Sequence, residues 1–252
     1  MTTHGQVLVT GGSRGIGLGL AVRYLDRGAR VIVTGRSADA LAAAADRHPG
    51  LETVVADMAR AGDREALAAH VRAVMPGLDL LVQNAGVQRR VGLAEDDAPW
   101  PERQVEIDTL LAGPVHLDHL LVPAMLAHGR PATVVEVTSG GAVVPQPFAP
   151  LYSASKAALH HYAMVLRASL TGTPLRVVEL VPPAVATGLG GDHGAPLDAF
   201  CDAAVAGIDA GRPVVGYGPT AEAAVTAQLD GQQALFDRMA GRFPVPGYAV
   251  AT

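Results

Sequence analysis

Short, nearly unbroken apolar runs recur along the chain, separated by longer Ala/Leu-rich stretches in which apolar positions fall three or four apart. The runs are QVLVT at Gln6 to Thr10, RVIVT at Arg30 to Thr34, LETVVA from Leu51 and LDLLVQ from Leu78. ATVVEVTS from Ala132, LRVVELV from Leu175 and PVVGY from Pro213 follow. A strand with one wet face alternates apolar and polar residues, whereas one covered by helices on both sides reads as continuous. The pattern therefore predicts about seven buried parallel strands. Between the first two, IGLGLAVRYLDRG (Ile16 to Gly28) sets Ile16, Leu20, Tyr24 and Leu25 on one helical stripe and ends on a glycine suited to the cap. Helical patterning also begins at Ala38, Gly62, Pro101, Tyr152 and Thr220. No repeat or low-complexity linker divides the chain. The expectation is α/β: one domain over residues 1–252, a doubly wound parallel sheet with helices on both faces.

The longest Gly/Pro-rich interruption is VPPAVATGLGGDHGAPL, Val181 to Leu197. Loops of that length in a compact domain are commonly lids or floppy surface segments, and a substrate lid is expected over 183–212.

Composition narrows the partner. The chain has 252 residues, 49% hydrophobic and 17% charged, with net charge −5 and its 19 Lys and Arg in no run. That counts against a nucleic-acid or anionic-membrane surface, and 4% aromatic content counts against a base-stacking platform. A small molecule is the expected partner. Cys201, the lone cysteine, has no disulfide partner and no zinc-type spacing around it, and reads as a structural thiol. The N-terminus has no basic segment followed by an apolar one, and no window approaches the roughly 18 apolar residues that span a bilayer. A cytoplasmic protein is expected.

After the first strand comes TGGSRGIGLGL, with Gly11, Gly15 and Gly17 at a strand-to-helix turn. Glycine there lets backbone approach a pyrophosphate, whose charge meets the unpaired N–H groups of the helix start. The second strand ends in Gly35 and Arg36 where an NAD-binding unit would carry an acidic residue for the ribose 2′-hydroxyl. Arg36, helped by Arg14, suits a 2′-phosphate instead. NADP is therefore expected over NAD.

In YSASK, Tyr152 and Lys156 are four residues apart and share a helical face, so an ammonium lies near a phenol and favours its ionisation. Tyr152 is a candidate general acid/base. Ser139 ends ATVVEVTS at the carboxyl edge of the sheet, where open α/β sheets hold ligands, and its hydroxyl can bond the substrate oxygen that Tyr152 protonates.

Together TGGSRGIG (Thr10 to Gly17), QNAG (Gln83 to Gly86), Ser139 and YSASK resemble, in order and spacing, the short-chain dehydrogenase/reductase family across nearly the whole chain. The resemblance implies a Rossmann-type fold and NAD(P)-dependent hydride transfer to or from a carbonyl or carbinol carbon. It assigns proton transfer to Tyr152, substrate-oxygen orientation to Ser139, and nicotinamide-ribose binding to Lys156, which also depresses the Tyr152 pKa. It adds Ser13 and Ile16 to the glycine turn, and Asp57 and Met58 beside the adenine. Asn84, Ala85 and Gly86 fall beside the adenine ribose, and Pro182, Val185 and Thr187 in the nicotinamide-side loop. A homodimer or homotetramer through helices near Pro101 to His128 and Tyr152 to Thr171 is also implied.

Three positions depart from the family pattern. Gln83 replaces an Asn, Pro183 replaces a Gly and removes an N–H donor, and Leu110 in TLLAG stands where the family commonly has an Asn that holds a relay water. Two other readings stay open. One is an enzyme of this fold using Tyr152 in isomerisation, dehydration or cyclisation; the other is a non-catalytic NADP sensor. His116, Asp118 and His119 offer no third metal ligand, and the neighbours His160 and His161 point to different faces, so no metal is expected. Val144, Phe148, Leu151 and Leu189 are expected to form an apolar substrate wall.

Overall fold

The computed structural model describes residues 4–189 and 193–248. Seven strands form one parallel sheet: β1 Gln6–Val9, β2 Arg30–Gly35, β3 Glu52–Val55, β4 Leu80–Gln83, β5 Ala132–Val137, β6 Leu175–Val181 and β7 Val214–Gly216. Their order is β3-β2-β1-β4-β5-β6-β7, so the winding direction reverses between β1 and β4. Alternate residues of β1, β2, β4, β5 and β6 feed two separate cores, whereas the edge strand β3 is half-buried or exposed and β7 adds only Val215. Val7, Val9, Val31, Val33, Val135 and Val178 pack on one side with α1 (Gly15–Leu25) and α8 (Leu197–Asp209). Leu8, Ile32, Leu81, Val134 and Val177 pack on the other with α3 (Ala61–Val74), α5 (Gly113–Ala127) and α7 (Pro150–Ser169). Both faces of these five strands are apolar because both are covered, which is why they read as continuous runs; the expected burial of all seven strands fails at the edge strand β3, whose Val55 is exposed. The remaining helices are α2 (Ala38–Arg47), α4 (Trp100–Ile107), the four-residue α6 (Gly140–Val143) and α9 (Ala223–Arg242).

Several boundaries differ from those the pattern predicts. The first helix ends at Leu25 rather than Gly28; Gly28 closes the turn with φ 86° and donates to Leu25 O at 2.9 Å. Helix α7 begins at Pro150, whose missing N–H is no loss at a helix start, so Tyr152 lies in the first turn. The last helix starts at Ala223 after a 3₁₀ turn, Gly218–Ala221, closed by Thr220, which donates to Val181 O at 2.6 Å.

The expected lid over 183–212 is too long, because α8 occupies its second half. Phe200, Cys201, Ala204, Val205 and Ile208 are buried in the core against α1, and burying a phenylalanine alone contributes about 2 kcal/mol or more. The first half is pinned: Ala186 donates to Ala195 O (3.1 Å) and Ala195 to Ala184 O (2.8 Å). Residues 190–192 of that loop lie outside the described residues.

Trp100–Ala127 runs as one long helical stretch, α4 and α5 joined by a π-helical segment, Asp108–Ala112. It is long enough to cross a bilayer and holds an 18-residue window of mean hydropathy 1.4, which corrects the expectation that no segment approaches one. Its Leu117, Leu121, Val122 and Met125 are core residues packed under the sheet, as in a central helix of a globular domain.

Candidate active site

Thr10, at the end of β1, ties the glycine turn to the end of β4. Its hydroxyl accepts from Asn84 N (2.9 Å) and Ala85 N (3.0 Å), while Asn84 Nδ2 donates to Thr10 O (2.9 Å) and Gly11 O (3.1 Å). The two turns are so close that a Cβ on Gly11 (φ 65°) would sit 2.7 Å from Ala85 Cα, and one on Gly17 would sit 2.4 Å from Asn84 Nδ2. Gly15, at φ 57°, lies under Thr187 of the loop after β6, 3.1 Å from where its Cβ would be. Only glycine fits this cradle without strain. Helix α1 starts in it with no side-chain cap and no acidic residue in its first turn, so its N–H groups and dipole are directed at the cleft.

The cleft lies at the carboxyl ends of β1 and β4, the reversal point where open α/β sheets bind ligands. Gly11, Ser13, Arg14, Gly15, Ile16 and Gly17 line it from the glycine turn, and Arg36, Asp57 and Met58 from the ends of β2 and β3. Asn84, Ala85, Gly86 and Thr187 close it. Arg14 and Arg36 are exposed at its rim. Asp57 also accepts from Ala59 N at 3.0 Å, so it shapes its own turn as well.

A second cavity of ≈ 490 Å³ opens from the first, sharing Ile16, Asn84, Gly86, Thr187 and Leu189. Ser139, Tyr152, Lys156, Pro182 and Val185 line it, so every candidate catalytic and cofactor-binding residue of the sequence lies on one continuous cleft. Val144, Phe148, Pro147 and Leu189 supply an apolar wall, with the Arg90 guanidinium 4.5 Å from the Phe148 ring centre. Leu151 does not belong to that wall, because one helical step from Tyr152 carries it to another face of α7.

Ser139 caps α6, accepting from Gly141 N at 3.0 Å, and its hydroxyl also bears on the Tyr152 phenol. Tyr152 and Lys156 are both nearly buried, and Lys156 Nζ donates to Val137 O at 2.6 Å. Burial pushes the Tyr152 phenol above its ordinary pKa; the bond to Ser139 opposes this and the Glu106 carboxyl adds to it. The expected depression by Lys156 is therefore corrected. The ammonium is directed at a backbone carbonyl, with Nζ 6.0 Å from the centre of the tyrosine ring, and desolvation outweighs it. Burial also brings Lys156 down to about 8, against the pull of Glu136.

Leu110, on the π-helical segment, is fully buried against Tyr152 and Ala149 and fills the space beside Lys156 with a group that makes no hydrogen bond. Gln83 donates to Pro114 O (3.1 Å) and Asp118 Oδ1 (2.9 Å), so it fastens β4 to α5. His116 accepts from Arg64 Nε at 3.0 Å, and His160 lies on Glu179 at 2.8 Å. Among the described residues no group of three or more His, Cys, Asp or Glu could hold a metal ion. Cys201 is buried at the α1–α8 contact, its thiol pushed up to about 12 by burial.

Sequence reasoning missed Thr10, Glu106 and the buried carboxylates Glu136 and Glu179 beside Gln83 under the cleft. It also missed that Lys156 is the only lysine in the chain, the other 18 of the 19 basic residues being arginine. That count was available from composition alone.

A family model described as short chain dehydrogenase matches residues 5–196. The chain is 41% identical over 187 residues to an uncharacterized oxidoreductase, DltE, of Bacillus subtilis (strain 168), covering 74% of each chain. It is 35% identical over 184 residues to 1-deoxy-11-beta-hydroxypentalenate dehydrogenase of Streptomyces avermitilis, covering 71% of this chain and 68% of that one. Among solved structures, a short-chain dehydrogenase from Sphingobium yanoikuyae in complex with NADPH superposes with TM-score 0.83 at 26% identity, covering 92% of this chain and 95% of that one.

Proposed function

The chain belongs to the short-chain dehydrogenases, NAD(P)-dependent oxidoreductases that act on small molecules, and from that premise we propose that it is an NADPH-preferring reductase of carbonyl compounds with an apolar body. The observation that carries this reading is the burial of Ser139, Tyr152 and Lys156 on one wall where the glycine-lined cleft meets the apolar cavity. The glycine cradle, which any Cβ would fill, and the start of α1 fit a pyrophosphate. Arg36 and Arg14 fit a 2′-phosphate that a carboxylate would repel.

The nicotinamide, when bound, supplies the hydride. Everything else falls to the chain. Ser139 donates to the substrate oxygen and orients it. Tyr152, whose phenol burial keeps protonated, delivers that proton as charge develops on the oxygen. Lys156 would hold the ribose hydroxyls and keep a positive charge below the phenol. Phe148, Val144 and Leu189 would exclude water from the apolar body of the substrate.

Calorimetric titration of the purified protein tests the cofactor half directly. NADPH should bind more tightly than NADH, and NADPH should then be consumed with aliphatic or aryl ketones and aldehydes. Binding of neither nucleotide would sink the proposal.

A further inference from the structure

Below the catalytic wall the sheet carries three polar side chains where the pattern calls for apolar ones. Gln83, Glu136 and Glu179 are paired neighbours on β4, β5 and β6, on the side covered by α5 and α7. All three are buried, Glu136 and Glu179 completely. Each charge must be matched, since an unpaired carboxylate in such a site is very costly.

Glu179 is matched. It accepts from Thr138 Oγ1 (2.7 Å) and lies 2.8 Å from His160 Nδ1, whose other nitrogen is 2.9 Å from Gln232 Oε1. Two acceptors on one imidazole suit its doubly protonated form. Although burial opposes that form, Glu179 outweighs it and raises the His160 pKa.

Glu136 is not matched in this way. Neither of its carboxyl oxygens meets a donor, and neither does Asp118 Oδ2, although the two carboxyls bear on each other. Two carboxylates are acceptors only and repel. One proton between them turns the contact into a hydrogen bond and removes one of two buried charges. Asp118 Oδ1 already accepts from Gln83 Nε2, and the Tyr162 phenol faces the same carboxyl, so the remaining negative charge belongs on Asp118 and the proton on Glu136. The cation facing Glu136, and through it the pair, is Lys156, whose Nζ donates to Val137 O, one residue from Glu136 on the same strand.

We propose that Glu136 and Asp118 share a single proton and act as a one-charge counter-ion that keeps Lys156 in its ammonium form. They are positioning residues: they touch neither cleft and act through Lys156. Their catalytic consequence rests on the proposed roles of Tyr152 and Lys156, and the proton sharing itself does not. The arrangement balances one positive against one negative charge in a space that Leu110 leaves without a hydrogen-bonding side chain.

Because the chain has one lysine, protein made with ¹³C-labelled lysine gives one lysine side-chain signal, and its pH titration reports Lys156 alone. Glu136→Gln keeps the shape, donates to Asp118 and leaves one negative charge, so the lysine midpoint should stay within a few tenths of a pH unit of the wild type. Glu136→Gln with Asp118→Asn removes the charge, and the midpoint should fall by about one to three pH units. The infrared band of a protonated carboxyl should be present in the wild type at neutral pH and absent from Glu136→Gln, a readout that stands even where the double variant fails to fold. An unshifted lysine in the folded double variant, or no such band in the wild type, overturns the proposal. Neither measurement needs turnover, so failure of the reductase reading would appear separately, as an inactive protein with the titrations intact.

Discussion

Arg36 stands at the end of β2, exposed at the rim of the cleft, at the place where an acid would select a ribose hydroxyl. A charge-assisted bond from an exposed guanidinium is worth about 1.5 kcal/mol, roughly tenfold in affinity, since solvent screens it. Arg36→Asp should therefore weaken NADPH binding about tenfold or more and NADH binding little. Calorimetry on both nucleotides checks this, and equal losses would remove Arg36 from the 2′-phosphate site. At this scale the residues legible in the sequence are those whose meaning is local. Tyr152 and Lys156 are one helical turn apart, and the glycines surround one bend. Glu136 was illegible for the opposite reason: alone in a Val-rich strand it looks like an exception. Its partners Gln83 and Asp118 arrive from β4 and α5, and only the strand register brings them together. The depression of Tyr152 by Lys156 was misjudged because spacing gives proximity but not burial, and here burial outweighs proximity.

The glycine turn works as a unit with the turn after β4. A Cβ at Gly11 meets backbone, which cannot rotate away, and φ 65° adds strain. Gly11→Ala should destabilise the protein by about 1–3 kcal/mol and also weaken nucleotide binding, because the β4 turn must move. Gly28→Ala is the control: its φ is 86° but nothing lies within 4 Å of its Cβ, so thermal melts should show a loss while nucleotide affinity holds. If Gly11→Ala left affinity unchanged, the cradle would have no part in binding. The strands were legible because their runs are short, rich in Val and Ile and bounded by turn residues, which separates them from buried helix segments. Helix α8 was not, since its Ala/Gly-rich sequence follows a Gly/Pro loop and resembles a continuation of it; only the packing of Phe200 and Cys201 on α1 identifies it as core. The π-helical segment at TLLAG also escaped notice, since no propensity separates one wide turn from an α-helix.

At the scale of the molecule, one sheet separates two apolar cores, and at the carboxyl edge where its winding reverses the glycine cradle, the apolar cavity and the buried Ser139, Tyr152 and Lys156 meet. Fold and family follow from this arrangement, while the chemistry depends on whether a hydride crosses from the glycine-lined side to the apolar side. NADPH carrying deuterium at its transferable position, incubated with the wild type and with Tyr152→Phe on the ketone turned over fastest, measures that transfer. Deuterium is expected on the carbinol carbon of the product, with a rate about 10²- to 10⁴-fold lower in Tyr152→Phe and NADPH still bound. Product without the label, or a Tyr152→Phe enzyme as fast as the wild type, would refute hydride transfer completed by the Tyr152 proton.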